Sequence, residues 1–224
     1  MIEAYKDRSF KPFMDPNFQP ADCTYAKLRF SYPLKQFSTL ATNATNSVLF
    51  QGNLLEAFDN PSQATNVRLP VGYTKYYGDY NKYEVYGCAI EVSFFNIDAT
   101  NNLVVYVTPL KKNIVTQSNH GALDQPYTKW KVIGPGTGPS VCKIKSYMTT
   151  SKLYGFPSNT DLAGAVSLPG TLGNSPTIGP ANPWAWCCGC IPMYTNPPTA
   201  GALPNVSVKL TWYVKYFDRS NVEN

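Results

Sequence analysis

The sequence is poor in charge, nearly free of histidine, and without a long hydrophobic run. Asp, Glu, Lys and Arg make up 15% of its 224 residues, where about a quarter is usual, and His120 is the single histidine. No stretch approaches the roughly 18 apolar residues that a membrane-spanning helix needs. Met1 leads directly into charged and aromatic residues, so we expect no signal peptide and no transit segment. These absences predict a soluble protein with no membrane partner.

Catalytic motifs are also missing. One histidine cannot supply the several ligands of a cupin-type metal centre, and no Gly-x-Ser-x-Gly elbow marks a serine hydrolase. The glycine-rich stretch 134–138 lacks the Lys-Ser/Thr ending of a phosphate-binding loop, which indicates a turn between strands. His120 lies in a polar loop, where a solvated histidine is the expected role. We therefore predict a non-enzyme without a cofactor, and a hydrolase on a β-sandwich is the weakest of three hypotheses.

Six cysteines are present, and we expect them to be reduced and structural. An even number permits a disulfide framework, but such frameworks belong to short secreted chains. The run 187–190, Cys-Cys-Gly-Cys, offers part of a four-ligand zinc site that the rest of the sequence does not complete. The cysteines are Cys23, Cys88, Cys142, Cys187, Cys188 and Cys190.

Aromatic residues are abundant and favour a protein that buries surface against partners. They reach 14% of the chain, with 16 Tyr and 11 Phe. Protein interfaces are enriched in Tyr and Phe and depleted in Lys, Glu and Asp, as this composition is. The alternative is a Tyr-rich sandwich with an ordinary core.

The distribution of turn residues predicts an all-β protein. The 19 Pro and 15 Gly divide short β-rich runs, and the only helix candidate is 53–58. Eight strands in one chain of this length favour a single eight-stranded jelly roll, with packed antiparallel sheets BIDG and CHEF, long loops and little helix. An immunoglobulin-like sandwich is the alternative, although the Cys…Trp…Cys spacing is missing. The predicted strands are 23–32, 45–51, 82–97, 102–109, 129–134, 140–150, 183–193 and 206–218.

We predict one jelly-roll domain over 1–224, with an N-terminal segment at 1–20, the jelly roll at 21–219 and a tail at 220–224. Because side chains alternate along a strand, basic residues of the first, sixth and last runs are expected opposite the core. If these runs are strands B, G and I, their basic residues share one sheet face with Tyr25, Tyr147 and Tyr213, and Glu91 is the only acid in the matching row of strand D. Cations interleaved with aromatics suit single-stranded nucleic acid, and a merely solvated sheet face is the alternative. The predicted nucleic-acid-binding residues are Lys27, Arg29, Lys143, Lys145, Lys209 and Lys215, with Lys6, Arg8 and Lys11 from the N-terminal segment.

Several segments resemble a family of viral proteins. The segments are 80–92, 104–109, 125–131 followed by the turn at 134–139, 143–155 with its Tyr-Met-Thr-Thr-Ser-Lys stretch, and 212–219. They cover about half of the chain in the expected order and are similar to capsid proteins of circular, Rep-encoding single-stranded DNA viruses (CRESS-DNA, circovirus-like). The resemblance implies a jelly roll that self-assembles into a T=1 icosahedral shell around circular single-stranded DNA. It also implies residence in the virion, assembly in the host cell with the nucleus as one candidate compartment, and a host receptor that the sequence does not identify.

One feature departs from the family pattern. Such capsid proteins usually begin with an arginine-rich arm, whereas the first twenty residues here contain three basic and three acidic side chains. DNA contact is therefore expected on local surfaces, with metal ions, polyamines or another factor supplying further charge, unless an arm lies outside these residues or the shell forms empty.

The alternative function, from another class, is a jelly-roll carbohydrate-binding module or lectin. Its sugar-stacking aromatics would be Trp184, Trp186, Tyr76 and Tyr77.

Overall fold

The computed structural model describes residues 23–36, 46–52, 70–77, 79–97, 101–111, 119–136, 140–155, 166–167, 184–193 and 204–219. Within these ranges the chain forms nine strands and three short helices. The strands are β1 (Cys23–Gln36), β2 (Asn46–Gln51), β3 (Tyr80–Phe95), β4 (Leu103–Lys111), β5 (Lys129–Ile133), β6 (Val141–Met148), β7 (Val166–Ser167), β8 (Trp184–Pro192) and β9 (Asn205–Arg219). The helices are α1 (Thr74–Tyr77), α2 (Asn119–Leu123) and α3 (Thr150–Tyr154), and none of these is long and apolar enough to cross a membrane.

The strands form two antiparallel sheets in the order of a jelly roll. The first sheet runs β1-β9-β3-β6, with the short β7 paired to the beginning of β3, and the second runs β2-β8-β4-β5. If β1 to β6, β8 and β9 are lettered B to I, these orders are BIDG and CHEF. The predicted fold is confirmed, and all eight predicted runs are strands whose ends shift by a few residues. The predicted helix at 53–58 lies outside the described residues.

The core lies between the sheets and is filled by alternate residues of each strand. In β9 the even-numbered apolar side chains from Val206 to Tyr216 are fully buried, as their alternation predicts. Two buried hydrogen bonds cross this core. The indole Nε1 of Trp212, in the first sheet, donates to the carbonyl oxygen of Gln51 in the second sheet at 3.2 Å, and Trp184 Nε1 donates to Thr150 Oγ1 at 2.9 Å.

An irregularity in β3 interrupts the alternation. The pairing of β3 with β9 shifts between Val85 and Gly87, where two residues of β3 occupy the space of one. A β-bulge of this kind reverses which residues face the core on its two sides. Just before the bulge, the outward-facing residues of β3 are therefore the even-numbered ones, whereas after it they are the odd-numbered ones. Strict alternation does not predict this change.

Candidate nucleic-acid interface

The solvent-facing side of the first sheet, called here the basic face, collects cations from four strands. Its rows follow from the strand register, and two of them contain one residue from β1, β9, β3 and β6 in that order. One row is Arg29, Thr211, Ala89 and Tyr147, and the next is Ser31, Lys209, Glu91 and Lys145. The predicted basic residues of β1, β6 and β9 all lie on this face. Their role in binding nucleic acid stays a prediction, and Lys6, Arg8 and Lys11 lie outside the described residues.

The bulge adds residues to the basic face that strict alternation missed. Glu84 lies opposite Lys215, and Lys82 lies opposite Phe217. The expectation that Glu91 is the only acid on this part of β3 is therefore wrong, because the shift at Gly87 turns Glu84 outward. Glycine inside a strand pattern is a known signal of a bulge, so Gly87 could have indicated this change.

Glu91 lies between two of the predicted lysines. Its Oε1 is 3.0 Å from Lys143 Nζ, and its Oε2 is 2.8 Å from Lys145 Nζ. Hydrogen bonds from Lys145 and Lys143 lower the pKa of this carboxyl group to about 2, so it is ionised at neutral pH. The three side chains together carry one net positive charge. Lys143 and Lys145 therefore attract a phosphate less strongly than two free ammonium groups would.

Two further lysines reach the edge of the basic face from the other sheet. Lys129 Nζ donates to the carbonyl oxygen of Lys145 at 2.7 Å, and Lys131 Nζ donates to that of Lys143 at 3.0 Å. These carbonyl groups lie on the side of β6 that has no strand neighbour, so the lysines cover an exposed sheet edge. Sequence reasoning missed them because β5 belongs to the second sheet, and its approach to β6 is a tertiary contact.

Four tyrosines form a line across the basic face, called here the tyrosine ridge: Tyr25, Tyr86, Tyr213 and Tyr147. Successive ring centroids along it are 6.2, 6.1 and 5.7 Å apart, and the first and last contacts are edge-to-face. Lys27 Nζ lies 5.4 Å from the centroid of Tyr213, within cation–π range. Tyr25 and Tyr147, at the two ends, are each 48% exposed. The sequence predicted three of these rings, and the bulge adds Tyr86.

A hollow of about 300 Å³ lies beside the ridge. Its floor contains Thr211 and Ala89, which are small. Its walls include Lys27, Arg29, Ser31, Glu91, Lys145 and Lys209.

The cysteines of β8 alternate between two environments. Cys188 and Cys190 belong to the main core, whereas Cys187 packs on the opposite side of the sheet with Tyr106 and Ala122. Burial raises the pKa of Cys190 to about 12 and that of Cys188 well above its ordinary value, so both thiols are protonated at neutral pH. The described residues contain no group of three or more potential metal ligands.

Three of the four aromatic residues of the carbohydrate-binding alternative pack in or against the core. Trp184 and Trp186 are 1% and 0% exposed and pack edge-to-face at 5.4 Å. Tyr76 stacks on Tyr216 with its ring centroid 4.8 Å away. The expectation that both tryptophans stack on sugars is wrong, because both side chains face the core between the two sheets. The side chains of Tyr77 and His120 lie outside the described part of the chain.

No protein-family model and no curated protein matches the sequence. Solved structures with a similar chain include that of T=3 Penaeus vannamei nodavirus, at 10% identity and a TM-score of 0.50, with 91% of this chain and 56% of that chain covered. Mud crab tombus-like virus gives a TM-score of 0.49 at 10% identity, covering 92% and 95%. Desmodium yellow mottle tymovirus gives 0.41 at 10% identity, covering 94% and 97%. At such low identity the likeness to the nodavirus chain concerns the fold, and this protein shares that chain's jelly roll.

Proposed function

We propose that this protein is a viral coat protein of the CRESS-DNA type, which self-assembles into a T=1 icosahedral shell enclosing circular single-stranded DNA. Its role is structural and needs no enzymatic activity or cofactor. The strand order supports the proposal. The segments that resemble this family fall on β3 to β6 and on β9, which are strands D to G and I of the jelly roll. The protein would then reside in the virion after assembly in the host cell, and a host receptor would bind its outer surface.

Exposed apolar residues support self-assembly. Trp130 and Val132 alternate along β5, are 55% and 52% exposed, and lie opposite Tyr106 and Val104 on the outer side of the second sheet. Met193, just beyond β8, is 55% exposed. Large aromatic and aliphatic side chains that remain exposed on a folded subunit commonly mark protein–protein contacts, and tryptophan is enriched among residues that dominate binding. The second sheet therefore offers contact surface for further copies, while the basic face of the first sheet is left for DNA.

Charge supports local rather than complete neutralisation of the genome. Roughly 60 copies of a protein of net charge +5 supply about +300, whereas the coding sequence alone needs about 670 nucleotides, each with one phosphate charge. DNA contact is thus concentrated on the basic face, with Lys6, Arg8 and Lys11 of the N-terminal segment as further proposed contacts. Metal ions, polyamines or another factor would neutralise the remaining phosphates.

Size-exclusion chromatography and negative-stain microscopy of the purified protein test assembly. We expect closed particles about 20 nm across, the scale for subunits that bury standard-size interfaces on several sides. A stable monomer at high concentration in several salts would refute the coat-protein proposal.

Replacing the predicted contacts tests the DNA interface separately. Serine at Lys27, Arg29, Lys143 and Lys145 should lower the 260 nm to 280 nm absorbance ratio of purified particles while leaving their size unchanged. An unchanged ratio would exclude these residues as the packaging surface and would leave the assembly proposal intact.

A further inference from the structure

We propose that the hollow beside the tyrosine ridge is a binding site for one unpaired nucleotide of a single strand. This inference rests on the proposed DNA contact and adds to it a binding site for one base. Cations line the hollow and suit a phosphate, and the neighbouring tyrosine ridge offers rings for a base. Lys27 of the lining lies over Tyr213, and Ala89 of the lining is paired with Tyr147. The hollow's volume of about 300 Å³ lies at the small end of the range for ligand pockets, which suits one nucleotide.

Gly87 leaves space for the ring of Tyr147 in the tyrosine ridge. A Cβ atom on Gly87 would lie 2.3 Å from Tyr147 Oη and 2.9 Å from its Cζ, so the ring of Tyr147 rests directly on the backbone of β3. From this position the ring meets Tyr213 edge-to-face at 5.7 Å. A side chain at position 87 would force the ring of Tyr147 to move away.

The same contact keeps the hollow open. Tyr147 lies at the end of the row that contains Thr211 and Ala89, the floor of the hollow. Because its ring leans toward Gly87, one row away, the space above these two small side chains stays empty. The absence of a side chain at Gly87 thus lets Tyr147 join the ridge and leaves the hollow beside it open.

Charge and shape together favour a single strand. Arg29, Lys145 and Lys209 line the hollow, and Glu91 Oε2 lies 2.8 Å from Lys145 Nζ. Several cations around one hollow suit a phosphate more than an uncharged sugar. In a duplex the bases are stacked and paired, so only an unpaired base can leave its neighbours and lie against a tyrosine ring.

The test compares three fluorescein-labelled 12-mers by anisotropy with dilute, unassembled full-length protein: single-stranded DNA, the same length of abasic backbone, and duplex DNA. The abasic strand keeps every phosphate and lacks every base. We expect single-stranded DNA to bind about tenfold more tightly than the abasic strand, which is within the range for base stacking on one ring.

Variants of the ridge show whether this preference arises at the hollow. Tyr147→Leu and Gly87→Ala should each reduce the preference to about twofold or less, whereas Tyr147→Phe should keep it because the ring is retained. Tyr147 is half exposed, so its replacement tests the proposal even if Gly87→Ala fails to fold. Lys152→Ser is the matched control on α3, where the ammonium lies over Tyr127 and away from the basic face.

The outcomes separate the base site from the DNA interface. Equal affinity for abasic and normal strands, or a preference unchanged by Tyr147→Leu, overturns the nucleotide site while phosphate binding by the basic face stands. If none of the three probes binds, both the nucleotide site and the proposed DNA interface fail. The assembly of shells is measured independently of either result.

Discussion

The basic face predicts a specific change in the salt dependence of DNA binding. Lys27 and Arg29 lie on β1 at the rim of the hollow, and both side chains are exposed. Replacing both with serine removes two cations that can each meet a phosphate. Because binding to a phosphate releases condensed counterions, every lost contact should reduce the dependence of affinity on salt.

The magnitude follows from the number of contacts removed. For a single strand, each phosphate contact contributes about 0.7 to the slope of log affinity against log salt concentration, so two lost contacts reduce that slope by about 1.4. Between 50 and 200 mM salt, the affinity advantage of the native protein over the double variant should then shrink by roughly sevenfold. Anisotropy titrations with a labelled single-stranded oligonucleotide at four salt concentrations measure the slope directly.

A matched pair of lysines provides the control. Lys111 and Lys152 are exposed cations on other parts of the protein, each lying over a tyrosine ring, at 4.7 and 4.9 Å from its centroid. Replacing both with serine removes the same net charge without touching the basic face. We expect the control slope to equal that of the native protein. The assignment of DNA binding to this face is refuted if both pairs reduce the slope equally, since net charge would then explain the effect.

Two further predictions concern assembly and pH. Trp130→Ser should leave the subunit folded, as measured by circular dichroism. It should raise the protein concentration needed for particle formation at least about thirtyfold, the factor that corresponds to a hot-spot loss of about 2 kcal/mol. An unchanged threshold concentration in light scattering would exclude Trp130 from the subunit contacts. Glu91→Gln should lower the free energy of unfolding at pH 7 by about 0.2–1 kcal/mol for each partly exposed lysine pair that is lost. Since the pKa of Glu91 falls from 4.5 to about 2 in the folded protein, this stabilisation is complete above pH 4.5 and disappears as the pH falls toward 2. Denaturant titrations that show a constant difference between native protein and variant from pH 7 to pH 2 would contradict this explanation.

Local sequence pattern was sufficient for the strands and for much of the basic face. Strand alternation is a property of a few successive residues, so the apolar row of β9 and the outward lysines at 209 and 215 could be predicted without knowing their neighbours. The same alternation placed Lys143 and Lys145 on the outer side of β6. The sheet orders BIDG and CHEF came from the count of strands and the jelly-roll prediction, and the pairing of β9 between β1 and β3 agrees with them.

Other features of the protein depend on contacts between distant segments. The tryptophans of β8 illustrate this, because the sequence shows two rings in a Pro-rich region but does not show that β8 lies between β2 and β4. Both rings face the first sheet across the core, so Trp184 and Trp186 are buried and cannot stack on a sugar. Whether one face of a strand is covered by another layer depends on the tertiary fold, which a local pattern does not specify.

The charge and aromatic surface was therefore determined by the sequence only in part. Alternation assigned six cations and three tyrosines to one face, because the side of a strand that a residue occupies is a local property. Tertiary structure decided the rest: the bulge at Gly87 brought Glu84, Lys82 and Tyr86 outward, and Lys129 and Lys131 reached the edge of β6 from the second sheet. A bulge is a mismatch between paired strands and an edge contact joins two sheets, so both arise only when segments far apart in the sequence meet.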